Sequence, residues 1–119
     1  MDKWKIELYE NARGEKPVEK FLESLDTKAN LKIERAFELL ESFGTVGGFP
    51  HVKKLTGTDL WEYRILGADN IRILYIAITG KTFLILHGFK KQKQKTPTKE
   101  IKIAKDRLQE YILRKSKKN

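Results

Sequence analysis

Polar and apolar residues alternate from Lys3 to Tyr9, with Trp4, Ile6 and Leu8 on one side and Lys3, Lys5, Glu7 and Tyr9 on the other. That period of two predicts a strand buried on one face. Asn11 to Lys16 then reads as its exit loop. Pro17 suits the first turn of a helix, and Val18, Phe21, Leu22 and Leu25 follow at helical spacing. Asp26 or Thr27 caps a longer second helix, with a stripe of Ala29, Ile33, Ala36, Phe37, Leu40 and Phe43 that runs until Gly44 ends it. Together the two predict a helical hairpin.

The stretch from Trp61 to Lys95 predicts three consecutive strands that run into a dense group of cations. Residues 73–78 are apolar without a break and rich in β-branched side chains, as in a central strand covered on both faces. Thr79-Gly80-Lys81 is a short connection with glycine where a tight hairpin needs a left-handed residue, so 72–78 and 82–89 should pair antiparallel. Gly67-Ala68-Asp69-Asn70 marks the preceding turn. Arg64 and Arg72 are equidistant from Ala68, so a connection with an odd number of residues sets them opposite each other on one face. Between the helices and these strands, residues 44–60 form a long connection with four glycines and a proline. At the far end, Thr96 as cap and Pro97 at the first position open a final helix with Ile101, Ala104, Leu108, Tyr111 and Ile112 buried, and the end RKSKKN should fray.

These elements predict one α+β domain over residues 1–119: an antiparallel sheet of about four strands, an N-terminal helical hairpin and a C-terminal helix. A chain of this length can bury roughly two thirds of its unfolded surface. The absence of cysteine removes disulfides, thiolate metal sites and a cysteine nucleophile, and suits a reducing cytoplasm. The N-terminus has no apolar signal core and no run approaches the ~20 apolar residues of a membrane span, so a soluble cytoplasmic protein without membrane contact is expected.

Charge changes the picture once it is located. Residues 1–89 hold 13 Lys and Arg against 13 Asp and Glu, whereas 90–119 hold 12 against 3, so the whole net charge of +9 follows the last strand. Such asymmetry points to a polyanionic partner, although a solvated basic helix accounts equally well for residues 99–119 alone. Lys90, Lys91, Lys93 and Lys95 adjoin a buried strand, and Lys53 and Lys54 close the glycine-rich connection beside the strand that carries Arg64.

Other chemistries find little support. Neither histidine lies in a nucleophile motif, and no Walker A sequence or dinucleotide fingerprint occurs, so no cofactor is expected. His87 reads as a satisfied, half-buried residue and His51 as a surface residue. Glu15, Glu19, Glu23, Glu34, Glu38 and Glu41 are interleaved with lysines on helix faces and read as solvated surface. No metal ligand set can be assembled. A cluster of cations, by contrast, suits phosphodiester chemistry. Guanidinium groups bind the nonbridging oxygens and neutralise charge in the transition state, while crowded cations lower a lysine pKa towards proton transfer. RNA supplies its own nucleophile, the 2′-hydroxyl. The same residues suit a passive RNA-binding module.

The order strand, helical hairpin, loop with VKKL, then LWEYRI, NIRILYI, LILHGFKKQKQKTP and a final helix with EIKIAKDRLQEY resembles the RelE/HigB-type toxins of bacterial type II toxin–antitoxin systems, nearest their phage-derived, HigB-like branch. The resemblance covers nearly the whole chain. It implies an mRNA endoribonuclease, or mRNA interferase, that acts without metal, cuts at the ribosome and is neutralised by a small helix-turn-helix antitoxin of HigA type. By the same resemblance Arg64 and Arg72 are the strand cations of the active site, Lys90 or Lys91 is the cation after the last strand, and Lys53 and Lys54 match a basic loop. Lys93 and Lys95 would add RNA contacts. Residues 90–97 lack the tyrosine or histidine that some relatives use for proton transfer. The fold is shared with ParE-type toxins, which inhibit DNA gyrase by protein contact, and that alternative stays open here.

Overall fold

Asp26 rather than Thr27 caps the long helix. Its carboxylate accepts a hydrogen bond from the Ala29 amide at 2.8 Å, and Gly44, at φ 68°, ends the helix in a left-handed conformation that costs glycine little. The computed structural model describes residues 3–67, 70–92 and 95–117. In chain order these form β1 (Lys5–Leu8), α1 (Pro17–Glu23), α2 (Thr27–Phe43), a 3-10 turn (Gly44–Gly48), β2 (Val52–Lys54), β3 (Trp61–Ile65), β4 (Ile71–Ile78), β5 (Thr82–Lys90) and α3 (Thr98–Ser116). The α1–α2 hairpin is stitched by Asn30, whose side-chain amide donates to the carbonyls of Leu22 and Leu25 at 2.8 and 3.2 Å.

The sheet corrects the expected one. It has five strands in the order β1-β5-β4-β3-β2 and is mixed, because β1 pairs with β5 in parallel, Lys5 opposite Thr82, while the other pairs are antiparallel. Parallel pairing needs a long crossover, and everything from α1 to β4 supplies it. The fifth strand is β2, taken from the connection expected to be irregular. Three residues of extended backbone suffice once the β3 edge is there to receive their hydrogen bonds.

Arg64 stands directly opposite Arg72, as the symmetry about Ala68 predicts. Cross-strand partners share a face, so the register sorts the sheet into two sides. Val52, Tyr63, Ile73 and Gly88 form a row beneath the helical hairpin, with Gly88 against the Phe21 ring. The other side carries the row Lys53–Glu62–Leu74–His87 and the row Arg64–Arg72–Phe89. On this second side α3 lies over β5, held by Arg107 donating to the Leu86 carbonyl at 2.8 Å and by His87 Nε2 with Glu100 at 2.7 Å.

Four finer expectations also change. Phe43 and Ile112 are more than half exposed, so the stripe of α2 stops at Leu40, a turn early, and that of α3 at Tyr111. Tyr9, assigned to the outer face of β1, is buried with its hydroxyl donating to Glu110 at 2.5 Å. Pro97, and not Thr96, occupies the cap position of α3. α3 itself continues through Ser116, into the segment expected to fray. Among the described residues no helix is long and apolar enough to cross a membrane.

Candidate functional site

The open half of the second face, beyond the end of α3, holds a pocket of about 110 Å³ lined by Pro50, His51, Val52, Lys53, Glu62, Arg64, Arg72 and Lys91. Sheet register builds it. Arg64 on β3 and Arg72 on β4 are one cross-strand pair, Lys53 on β2 and Glu62 on β3 are the adjoining pair, and the Lys91 amide donates to the Asn70 carbonyl at 2.9 Å just past β5. His51 enters by the same logic, because the Arg64 amide donates to its carbonyl at 2.8 Å, which sets it beside Arg64 at the mouth of β2. A larger cleft of about 420 Å³, lined by Tyr9, Asn11, Glu15, Pro17, Lys20, Asp106 and Arg107, is mixed in sign. Size alone does not single out a site for a polyanion. The concentration of positive charge favours the smaller pocket.

Of the eight cations read from the sequence, four line this pocket: Lys53, Arg64, Arg72 and Lys91. Lys54 and Lys90 do not. Lys54 sits one residue along β2 from Lys53, and Lys90 pairs with Ile71, one residue along β4 from Arg72, so alternation turns each to the opposite side. Lys95 is exposed and does not line the pocket, and Lys93 lies outside the described residues, as does Asp69, a candidate ion-pair partner for Arg72.

At the floor is Glu62, which the sequence offers, like Asp69, as an ion-pair partner for Arg72 but not as part of the site. The Glu62 side chain is only 3% exposed, with Oε1 at 3.8 Å from Lys53 Nζ and 4.0 Å from Arg72 Nε, while the Thr96 hydroxyl donates a short hydrogen bond to Oε2. A buried carboxylate is tolerated only when paired and hydrogen-bonded. Thr96 thus ties the segment leading into α3 to the centre of the site. The spacing of Glu62 and Arg64, two apart in a strand, was the signal that they share a face. His51 was also missed: it is half-buried, and its Nδ1 is buried with no hydrogen-bond partner among the described residues.

A phage-derived family is matched over most of the chain, residues 20–109, by the model described as Phage derived protein Gp49-like (DUF891). The chain belongs to this Gp49-like family. The matched span runs from α1 to within α3 and includes every residue of the pocket, while β1 precedes it. Among curated proteins no sequence matches the Gp49-like chain.

The electrostatics of the Gp49-like pocket follow from its crowding. Partial burial lowers the proton affinity of Lys91 below that of an ordinary lysine; Glu62 opposes this, and Arg72, Lys53 and Arg64 reinforce it. Arg72 shifts down by burial, opposed by Glu62, and as a guanidinium it stays charged. The arrangement offers two guanidinium groups for an anion and one ammonium from which a proton is lost more readily than usual. Among the described residues no three His, Cys, Asp or Glu side chains come together as metal ligands would. His87, across the sheet under α3, is occupied on both ring nitrogens, by Glu100 at 2.7 Å and Arg107 at 3.2 Å, in keeping with a structural histidine.

Proposed function

We propose that this chain is the toxin of a toxin–antitoxin pair and cleaves mRNA, on the ribosome, by attack of the 2′-hydroxyl on the adjacent phosphodiester. The reading is supported by membership of the Gp49-like family, which is associated with toxin–antitoxin systems. The observation that carries it is the convergence of Arg64, Arg72, Lys53 and Lys91 on one small pocket. Arg64 and Arg72 grip the nonbridging oxygens and offset the charge that develops on phosphorus. Lys91, with its lowered proton affinity, hands a proton to the departing 5′ oxygen, and the proton of the attacking 2′-hydroxyl passes to solvent water. Products are a 2′,3′-cyclic phosphate and a 5′-hydroxyl, and no metal takes part. An acidic surface of a helix-turn-helix antitoxin covers the basic end of the molecule, drawn to the charge of residues 90–119.

Incubating the purified protein with translating ribosomes and mapping mRNA ends tests the proposal. New ends bearing a 2′,3′-cyclic phosphate, formed on pre-bound RNA in EDTA, are expected. Intact mRNA in the presence of folded protein, or gyrase inhibition without RNA scission, overturns it, and a strict Mg²⁺ requirement on pre-bound RNA overturns the metal-free step.

A further inference from the structure

Glu62 is the one carboxylate among the described residues that line a pocket otherwise rich in cations. It is not there for want of an alternative, since an amide or apolar side chain fills the same space without the cost of a buried charge. We propose that Glu62 is a positioning residue: an internal anion that holds Lys53 and Arg72 in place in the empty pocket and yields them in part to the phosphate of the substrate. This rests on the RNA-cleaving reading for its substrate and deepens it by assigning what prepares the site.

Three observations carry the inference. First, the ion pairs are long. Separations of 3.8 and 4.0 Å are well beyond the roughly 2.7–2.9 Å of a charge-assisted hydrogen bond, so Glu62 attracts both cations without saturating their donors. Arg72 spends one terminal nitrogen on the Ile71 carbonyl at 3.2 Å, which fixes its direction without occupying a second acid. Second, the carboxylate is anchored from elsewhere. The Thr96 hydroxyl holds Oε2, so Glu62 does not swing after the cations when a phosphate arrives. Third, the groups that face Lys91 are Glu62 on β3, Arg72 on β4, Lys53 on β2 and Arg64 on β3, and of these Glu62 alone favours its charged form. The same carboxylate that orders the two cations keeps Lys91 protonated, and so ready as a proton donor.

Two effects of opposite sign follow for Glu62→Gln, which keeps the shape and an acceptor for Thr96 but removes the charge. Inorganic phosphate should bind roughly 10-fold more tightly, because a repelling charge a few ångströms away is gone. RNA cleavage should slow by about 10-fold or more, and the Lys91 titration, followed by NMR of ¹³C-lysine protein, should move to lower pH, taking the alkaline limb of the rate profile with it. Thr96→Val, which loosens the carboxylate but keeps its charge, should slow cleavage while leaving phosphate affinity and the Lys91 titration as in the unaltered chain. A merely structural Glu62 predicts a lower Tm with no gain in phosphate affinity and no movement of Lys91, and that result overturns the proposal. If Glu62→Gln does not fold, Thr96→Val decides alone, and cleavage at the unaltered rate overturns the assignment. An unaltered chain that cuts no RNA removes the reading of function, yet the phosphate and Lys91 measurements still decide the role of Glu62.

Discussion

Arg64 and Arg72 face each other across β3 and β4, yet one is exposed and the other has a side chain only 12% accessible, within 4.0 Å of the buried Glu62. Two residues of one type in one cross-strand pair therefore carry different loads. Arg64→Ala should change stability by no more than about 0.5 kcal/mol, as for most exposed positions. Arg72→Ala leaves Glu62 with fewer partners and should cost roughly 1–3 kcal/mol of stability. Both should lower RNA cleavage on the order of 10²–10³-fold if both grip the phosphate. Thermal melts and single-turnover rates on the two variants separate the roles; an Arg72→Ala protein of unchanged stability would contradict the ion pair.

His87 makes stability depend on pH. Burial lowers its pKa below 6.5, with Arg107 acting in the same direction and Glu100 against it. A depressed native value means that the unfolded chain takes up the proton first as pH falls. Stability held above pH 6.5 is therefore lost as pH drops through that value towards the native one. Denaturant midpoints at pH 7.5 and pH 5.5 should show the decline, and His87→Gln should flatten it. A midpoint that is constant over this range in the unaltered chain speaks against a buried, neutral imidazole.

At Gly88 the Phe21 ring of α1 lies close against the sheet. A Cβ there would sit 2.6 Å from Phe21 Cδ2 and 3.2 Å from Ile73 Cδ1, inside normal contact distance on both sides. Gly88→Ala should destabilise by about 1–3 kcal/mol through overpacking. Combining it with Phe21→Leu should recover part of that loss in a thermal melt, since the crowded atoms belong to a side chain that the second change trims.

Periodicity made α2 legible, because it buries one stripe at a fixed interval, whereas β4 showed as an unbroken apolar run covered on both faces and the short Thr79-Gly80-Lys81 connection paired it with β5. The opposition of Arg64 and Arg72 came from counting about Ala68, since turn length and register are bound together. β2 escaped because three residues are too few to show a period, and its partner strand, not its own sequence, makes it a strand. The direction of β1 escaped for a similar reason: alternation says which side is buried but not which neighbour it pairs with. In the pocket, strand cations could be read and Glu62 could be named as an ion-pair partner of Arg72, but its burial could not, since the Thr96 hydroxyl that meets it comes from 34 residues away. Lys54 and Lys90 were grouped with Lys53 and Lys91 by proximity in sequence, which in a strand is the wrong measure of proximity in space.

The parallel pairing of β1 has a consequence in time. Lys5 to Leu8 receive their partner, Thr82 to Ile85, only when the last strand exists, whereas β3, β4 and β5 are joined by short turns and can assemble on their own. Closing so large a loop makes docking of β1 a late event. As the chain leaves the ribosome, β1 emerges well before β5 and waits for it. Trp4, stacked on Phe83 at 4.4 Å, lies at that junction, so its fluorescence in stopped-flow refolding should change after the signal of the β3–β5 meander has formed.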